Sequence, residues 1–438
     1  MLTRFCSAGS PTPIRHVRGD PPTLASHGAL PAARVDQPAL AVIVVPDYLP
    51  SLGGTTTQSR LHARELARRG WDVTVLTRRV RWGASRATID GIAVRRIGPP
   101  GRGRVAKALD VLCTWGWLAR RRRAVSAVSV IMDADLAMSA WAAGLGTSTM
   151  VTWVTMGDPA RQLTGRKGAI RRAALRHCAH IALTPAMAAE LSHLSMEVDD
   201  VITVPVDPWR FRPPTIEERG AARVALGVSG DVVVFIGHLQ PRKAVDRLLV
   251  ALKLLRNGGR DVSLVIVGAP VEREDVEYAE RLARFAKTSS LSDAVHFVGE
   301  QCDVRPFLFA ADLLCLPSER EGMPNVLLEA MACGIPCVAP ATAGADALFE
   351  RGDGNIPPSN DPRDLAAAMA ALLDDPGARE RARQRGLDRV QERHRIEAII
   401  DRYERLMGVQ GQPATRSKPW IRGVTEAERR DRSVFEYE

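Results

Sequence analysis

The sequence predicts an α/β protein made of two Rossmann-like, doubly wound domains that face each other across a cleft. Short apolar runs, typical of buried parallel strands, alternate with helical stretches along most of the chain. This alternation starts twice, with "ALAVIVV" at 39–45 and with "DVVVFIG" at 231–237. The 438 residues are enough for two separate cores. In such domains, ligands bind at the carboxyl ends of the strands.

The first repeat begins with a strand, the loop "SLGG" and a helix that ends near Gly70. Further strands are predicted at 71–77, 127–132, 149–155, 179–184 and 200–205. The second repeat has predicted strands at 231–237, 262–268, 294–299 and 312–318, with helices between them. Both halves therefore have the strand–helix–strand order of a parallel sheet.

Proline-rich sequence from Pro205 onward separates the two repeats. The predicted organisation is a disordered N-terminal extension at 1–37, a first domain at 38–206, a linker at 207–222, a second domain at 223–380, C-terminal helices at 381–408 and a disordered tail at 409–438. The C-terminal helices should pack back on the first domain, with a break near Arg395.

Positive charge is concentrated in the N-terminal half. Residues 1–200 contain 27 Lys and Arg against 14 Asp and Glu, and the remaining residues contain 33 against 36, for a net charge of +10. An anionic partner is expected for the first domain: a membrane surface, a nucleic acid or a phosphorylated substrate. The seven cysteines form no C-x-x-C pair, which favours reduced thiols in a cytosol.

A predicted helix in this basic half combines tryptophan with an arginine cluster, at Trp115, Trp117, Arg120, Arg121, Arg122 and Arg123. Such a helix can lie on an anionic membrane, and the alternative is an ordinary helix with a solvated arginine face. No pattern of stacking aromatic residues accompanies the charges, so nucleic acid is not an expected partner. Without a spanning or signal segment, we expect a cytoplasmic protein that attaches at the inner face of the membrane.

The stretch "PSEREGMPNVLLEAMACGIPCVA" at 317–339 has two carboxylates eight positions apart, Glu321 and Glu329. Its helix should cover about 325–333, with Pro324 at the first helical position or Asn325 at the cap. Glu321 then lies in front of the helix and Glu329 in its second turn, beside backbone N–H groups that can bind phosphate. Carboxylates next to a phosphate suit sugar and ribose hydroxyls, but on spacing alone two solvated charges remain the alternative.

This stretch resembles the E-x7-E signature of retaining glycosyltransferases of the family 4 type, which have the two-domain GT-B fold. The segment "VVVFIGHLQPRKAVDRLL" at 232–249 resembles the family's phosphate-binding loop, and "SLGG" resembles its glycine loop. The resemblance covers about residues 39–408. It implies an acceptor domain followed by a nucleotide-sugar domain. The donor site that it implies consists of Gly53, Gly54, Gly237, His238, Arg242, Lys243, Glu321, Gly322, Met323, Pro324, Asn325, Val326 and Glu329.

Within that set, the resemblance gives Lys243 the donor diphosphate, Glu329 the ribose and Glu321 the sugar hydroxyls, with Lys243 and Glu321 as the catalytic residues. The sequence also departs from the family. His238 and Ala244 replace an arginine and a glycine, so Arg242 is expected to supply the second phosphate charge. After a first-domain strand, Met156 stands near the place of a family histidine.

The expected activity is transfer of a sugar from a nucleotide-diphosphate sugar to a lipid-linked, saccharide or small-molecule acceptor, with no further cofactor. Asp133 and Asp135 resemble the D-x-D metal motif of the other glycosyltransferase fold. Their position after a strand favours a helix cap instead, so no metal site is predicted. Two alternatives stay open: a nucleotide-sugar epimerase of similar fold, and a catalytically degenerate protein that binds sugar nucleotides.

Overall fold

A computed structural model describes residues 39–51, 53–80, 84–101, 103–155, 157–341, 344–349 and 356–408. The predicted extension at 1–37, the predicted tail at 409–438 and Met156 lie outside these residues. The described residues form two mostly parallel sheets with helices packed on them, as the alternating pattern predicts. No helix in the described part of the chain is both long and apolar enough to cross a bilayer.

The first sheet is built from the first domain. Its strands are β1 (Leu40–Val45), β2 (Asp72–Arg78), β3 (Arg86–Ile89), β4 (Ile92–Ile97), β5 (Val125–Ile131), β6 (Thr149–Trp153), β7 (Ala179–Ala182) and β8 (Asp200–Val201). Their order is β3-β4-β2-β1-β5-β6-β7-β8, and the β3–β4 pair is antiparallel while the others are parallel. The strands at the centre are buried on both faces, which explains their continuous apolar sequence.

The helices of the first domain cover both faces of this sheet. They are α1 (Gly54–Arg68), α2 (Arg104–Arg121), α3 (Ala134–Ala140), α4 (Asp158–Leu163), α5 (Gly165–Leu175) and α6 (Pro185–His193). Two of their starts follow directly from sequence. Asp133 caps α3 by accepting from the N–H groups of Asp135 and Leu136, and Thr184 caps α6 just before Pro185.

The second domain has a five-stranded parallel sheet in the order β11-β10-β9-β12-β13. The strands are β9 (Asp231–Ile236), β10 (Val262–Val267), β11 (Val295–Gly299), β12 (Leu313–Cys315) and β13 (Cys337–Val338). The helices are α7 (Ile216–Leu226), α8 (Val245–Asn257), α9 (Arg273–Thr288), α10 (Arg305–Ala310), α11 (Asn325–Ala332), α12 (Pro362–Asp374), α13 (Pro376–Arg393) and α14 (Ile396–Leu406).

Helix α7 begins inside the range predicted as a linker, 207–222. Thr215 and Glu218 form a capping box at its start. Arg219 and Arg223 then form ion pairs with Asp312, at 2.7 and 3.0 Å, just before β12. Part of the predicted linker is therefore helical and is paired with the second domain.

Only one of the C-terminal helices packs on the first domain. Helix α13 stays with the second domain, where Gly386 lies against Met331 of α11. The chain breaks at His394–Arg395, close to the predicted position, and α14 then crosses to the first sheet. There Ile399 and Tyr403 complete a buried cluster with residues of β6 and β7. Within 381–408, α14 thus packs on the first domain and α13 on the second.

Arg69 attaches α14 to α1. Its guanidinium contacts Glu65 at 2.9 Å, Asp401 at 2.6 Å and Glu404 at 2.5 Å, and donates to the carbonyl of Glu397 at 2.9 Å. Its side chain is 17% exposed. The interaction therefore joins one half-buried cation to several acceptors that are about 330 residues away along the chain.

We expect Arg69→Ala to destabilise the protein by about 2–3 kcal/mol, because the substitution leaves three carboxylates without their shared cation and charged hydrogen bonds contribute about this much. Arg68→Ala is the matched control. Arg68 also pairs with Glu65, but its side chain is 65% exposed, so its loss should change stability by about 1 kcal/mol or less. Urea unfolding followed by circular dichroism measures both, and equal effects would contradict the role of Arg69.

Candidate functional site

A cavity of about 520 Å³ lies between the carboxyl ends of the two sheets. The first domain contributes the loop after β1 and the start of α1, and the second domain contributes the loops after β9 and β12. The cavity wall contains every residue predicted for the donor site: Gly53, Gly54, Gly237, His238, Arg242, Lys243, Glu321, Gly322, Met323, Pro324, Asn325, Val326 and Glu329. Residues that are up to 276 positions apart are thus brought to one place.

Lys243 is held in the wall of this cavity by Glu321. Its Nζ atom contacts Glu321 Oε1, and the two side chains are 12% and 10% exposed. Burial lowers the pKa of Lys243, and the nearby Glu321 charge acts in the opposite direction. An ammonium has three N–H donors, so its pairing with one carboxylate oxygen leaves donors for a further anion. The arrangement suits a fixed positive charge facing a phosphate.

Arg242 and His238 complete the charge on this side of the cavity. Arg242 approaches the second oxygen of Glu321 at 3.6 Å and donates to the carbonyl of Arg320 at 3.2 Å. It therefore faces the same carboxylate as Lys243, although it is 44% exposed. Burial, and then the charge of Lys243, lowers the pKa of His238, so its ring is neutral near pH 7. The second cation beside Lys243 is Arg242.

Glu329 lies in the second turn of α11, as the sequence predicts, and is half-buried. Among the described residues its carboxylate has no hydrogen-bond partner in this structure. Burial raises its pKa to about 7, and the charge of Arg210 opposes the increase. A desolvated acceptor without a protein donor is free to accept from hydroxyl groups of a ligand.

The start of α11 differs from both caps that the sequence suggested. Pro324 is the cap residue and Asn325 the first helical residue. The Asn325 side chain instead donates from Nδ2 to the carbonyl of Gly54, at 3.1 Å, and so joins the two domains across the cavity. A β-carbon on Gly322 would lie 1.7 Å from the carbonyl oxygen of Val154 at the end of β6. Only a glycine permits this approach of the two backbones.

The loop that carries Lys243 also depends on backbone geometry. Ala244 adopts a left-handed conformation with φ 48°, at the position where the family has glycine. Gly268, with φ 144°, would place a β-carbon 1.9 Å from the carbonyl oxygen of Gly237. The loops after β9 and β10 therefore pack backbone against backbone beneath the cavity.

Several cavity residues were not predicted from the sequence. From the first domain these are Asp47 and Met132, together with Thr55, Thr56, Thr57 and Gln58 in the first turn of α1. Their position after the glycine loop is a signal that could have identified the threonines, because helix starts line such crevices. Arg210 also lines the cavity, from the connector between the domains, which is residues 202–215 between β8 and α7. Only the folded structure brings it there.

The Asp133 and Asp135 pair has the structural role that the sequence favoured. Asp133 caps α3, and Lys107 contacts both carboxylates at 3.2 Å. Arg171 contacts Asp135 at 2.6 Å. Among the described residues there is no group of three or more His, Cys, Asp or Glu side chains placed to hold a metal ion.

The predicted membrane surface divides into two parts. Trp115 is exposed on α2, where its indole donates to the carbonyl of Ala142, and Arg120, Arg121, Arg122 and Arg123 are exposed at the end of the helix. Trp117 does not belong to this exposed face. It is half-buried against the first-domain core, and the Arg121 guanidinium lies 4.4 Å from its ring. The two-residue spacing places the tryptophans on different sides of the helix.

Similar solved structures have this two-domain architecture. Sucrose-phosphate synthase from Thermosynechococcus elongatus matches with a TM-score of 0.71 and 22% identity, over 84% of this chain and 98% of the other. The structure entitled Anabaena Alr3699/HepE in complex with UDP-glucose matches with a TM-score of 0.68 and 17% identity, over 84% and 99%. The fold, with its cavity between two parallel sheets, is that of the GT-B class.

Sequence comparison identifies the family. The family described as "Glycosyl transferase 4-like domain" matches residues 53–207, and "Glycosyl transferases group 1" matches residues 222–389. The D-inositol 3-phosphate glycosyltransferase of Jonesia denitrificans is 32% identical over 238 residues, which are 52% of this chain and 55% of that protein. A protein named D-inositol 3-phosphate glycosyltransferase 2, from Catenulispora acidiphila, is 37% identical over 180 residues, or 39% and 41%.

The chain therefore belongs to the GT-B glycosyltransferases of the family 4 type. The alignments span about half the length of these curated relatives.

We expect Lys243→Ala to weaken binding of a nucleoside diphosphate by about 10- to 100-fold, because it removes a buried charged hydrogen bond of about 1.5–3 kcal/mol. Arg242→Ala should weaken binding several-fold at most, since the more exposed guanidinium is screened by solvent. Isothermal titration calorimetry at constant salt measures both variants. Unfolding experiments on the same samples separate a binding effect from a loss of structure. Wild-type affinity in Lys243→Ala would remove this residue from the phosphate site.

Proposed function

We propose that this chain is a retaining glycosyltransferase that transfers a sugar from a nucleotide-diphosphate sugar to a hydroxyl acceptor. One observation carries the proposal: a single cavity brings together a buried lysine, an unpartnered carboxylate and the N-terminal ends of two helices, α1 and α11. Cations and helix N-termini stabilise phosphate charge, and carboxylates accept hydrogen bonds from sugar and ribose hydroxyls.

The donor would lie mainly against the second domain. Its diphosphate would contact the start of α11 and Lys243, with Arg242 at the outer edge. Its ribose hydroxyls would donate to Glu329, and its sugar would lie beside Glu321. The solved structures of similar fold include complexes with UDP and with UDP-glucose, so uridine nucleotides are the first donors to test.

Catalysis in this proposal rests on charge stabilisation. The bond between the anomeric carbon and the diphosphate oxygen breaks while the acceptor hydroxyl oxygen bonds to the same face of that carbon. The departing phosphate oxygen takes the proton of the acceptor hydroxyl. Negative charge grows on the diphosphate during this step, and Lys243 with the α11 N-terminus would stabilise it. Glu321 would hold Lys243 in position and accept from sugar hydroxyls.

The acceptor would lie on the first-domain side. Relatives of this chain are named for D-inositol 3-phosphate, and a phosphorylated polyol suits the basic first domain. A smaller cavity of about 50 Å³ shares Pro46 with the main cavity and is lined by Arg78 and Lys107. Arg78 pairs with Asp47 at 2.5 Å and Lys107 with Asp133. An acceptor phosphate would have to compete with these carboxylates for Arg78 and Lys107. Acceptors of several chemical classes should therefore be compared.

The function is tested by incubating purified protein with nucleotide sugars and three acceptor classes: inositol phosphates, saccharides and a polyprenyl phosphate. We expect one donor–acceptor pair to give nucleoside diphosphate and a new glycoside with the anomeric configuration of the donor, shown by NMR. Glu329→Gln should lower donor affinity by about 10- to 100-fold without unfolding the protein. EDTA should leave turnover unchanged, because the proposal gives the diphosphate charge to Lys243, Arg242 and a helix end.

Other results of these experiments would indicate a different mechanism or function. A product of inverted configuration would reject the retaining mechanism. Interconversion of the donor sugar without transfer would indicate an epimerase, and tight nucleotide-sugar binding without turnover would indicate a degenerate binding protein. Activity lost in EDTA and restored by Mg²⁺ or Mn²⁺ would show that a metal ion carries part of the charge.

We also propose that the first domain attaches to anionic membrane. Support comes from the exposed side of α2, where Val105, Leu109, Leu112 and Trp115 are accessible, with Trp141 beside them. Exposed arginines, Arg104 and Arg120 to Arg123, stand at the two ends of the helix. Apolar side chains with basic residues at the ends fit the interface of an anionic bilayer.

We expect the protein to sediment with vesicles that contain anionic lipid, and binding should fall as salt rises, because basic residues contribute about 1 kcal/mol each near such a surface. Leu112→Asp should reduce binding. Ile216→Asp is the matched control, since Ile216 is also exposed but lies on α7 of the second domain. Equal, weak binding to anionic and neutral vesicles would leave the arginines as an ordinary solvated face.

A further inference from the structure

The connector between the domains contains a turn that is held by the side chain of Asp207. The N–H groups of Trp209 and Arg210 donate to Asp207 Oδ1, at 3.0 and 3.3 Å. Asp207 is buried, and its other oxygen lies 3.5 Å from the guanidinium of Arg64 on α1. The turn is thereby attached to the first domain, while the Arg210 side chain extends toward the second.

Arg210 and Glu329 share two cavities. Both line the main cavity, and both line a neighbouring cavity of about 90 Å³ that continues behind it, between α1, the connector and α11. The acidic group paired with Arg210 is Asp303, at a distance of 3.7 Å, which is long for an ion pair. The guanidinium therefore keeps N–H donors available in the cavities that it lines together with Glu329.

Other charged and titratable groups surround these cavities. From the first domain, the connector and α14 they are Asp47, Arg60, His62, Arg64, Asp207 and Tyr403. From the second domain they are His238, Arg242, Lys243, Glu300, Cys302, Asp303 and Glu321, with Cys333 just after the helix that carries Glu329. Lys243 is paired with Glu321, Arg60 with Asp90 and Arg64 with Asp207. Arg210 is the charge that opposes the effect of burial on Glu329.

We propose that Arg210 is a positioning residue of the donor site, which keeps the Glu329 carboxylate ionised and oriented to accept hydrogen bonds from the donor. The inference rests on the proposed role of Glu329 in donor binding. In addition, Arg210 lies outside both sheets, on the connector that joins the domains, and would control how much of the Glu329 carboxylate is ionised. Donor affinity is then linked to the conformation of the connector, because any movement of the turn at Asp207 moves the guanidinium relative to Glu329.

The proposal predicts how donor affinity changes with pH. The pKa of Glu329 is raised to about 7, so the ionised acceptor is lost as pH falls through 7, and donor affinity should fall with it. Removing Arg210 raises the pKa of Glu329 further and moves this midpoint to higher pH. A midpoint that rises by one unit weakens binding tenfold at a pH below both midpoints.

The experiment measures UDP binding by calorimetry from pH 5.5 to 8.5 for wild type, Arg210→Gln, Arg210→Lys, Glu329→Gln and the double variant Arg210→Gln/Glu329→Gln. We expect Arg210→Gln to raise the midpoint of the pH dependence of UDP affinity by about one pH unit. Arg210→Lys should keep this midpoint close to that of wild type. Glu329→Gln should remove the pH dependence, and the second substitution should then have little further effect. Arg256→Gln is the control: Arg256 pairs with Asp293 on another face and is similarly exposed, at 25% against 33%.

A second measurement needs no ligand. A carboxyl group whose pKa is raised by folding destabilises the folded state as pH rises through that range. As pH rises from 5 to 8, the melting temperature of Arg210→Gln should therefore fall relative to that of the double variant. The melting temperature of wild type should also fall relative to that of Glu329→Gln, but by less. If UDP fails to bind but this difference is present, the donor proposal fails and the Arg210–Glu329 coupling stands. A pH-independent loss in Arg210→Gln, additive with Glu329→Gln, would overturn the coupling and leave Arg210 a structural residue of the connector.

Discussion

The site depends on one constraint: the two chain crossings between the domains are hydrogen-bonded to each other. The N–H of Val206 donates to the carbonyl of His394 at 3.0 Å, and the Nδ1 of His394 donates to the carbonyl of Val204 at 2.8 Å. The His394 ring is buried, and burial lowers its pKa to about 4, so the ring is neutral near pH 7. The two backbone segments that connect the domains are thus hydrogen-bonded side by side. The carboxyl ends of both sheets line the same cavity.

The cavity chemistry follows from this apposition. In each parallel sheet the loops at the strand ends carry helix N-termini and short polar residues, and neither set forms a closed pocket alone. Facing each other, the loops produce contacts that exist only between domains, such as Asn325 with Gly54 and Gly322 with Val154. Lys243 and Glu321 belong to one domain, and their pairing fixes a positive charge beside this shared space. The donor would therefore be enclosed by parts that come from both domains.

Much of this could be predicted from the sequence, because the signals are local. Continuous apolar runs identify buried parallel strands, and Gly334 after α11 marks that helix end. The residues predicted for the donor site lie in three short motifs, each following a strand, and all of them line the cavity. What could not be predicted depends on long-range geometry. The packing of α13 and α14 on different domains, the buried side of Trp117 and the position of Arg210 in the same cavity wall as Glu329 all depend on contacts between segments far apart in sequence.

The crossing of α14 has a consequence for the order in which the chain can fold. Buried residues of the first domain, including Ile181 and Ile202, pack against Ile399 and Tyr403 of the last helix. During synthesis the first sheet leaves the ribosome long before these residues exist. At 5–20 residues per second, the roughly 200 residues between Ile202 and Ile399 take about 10–40 s to be made. For that time an apolar face of the first domain is exposed. The second domain can complete its own core meanwhile, so the domain that is made first is the last to be finished.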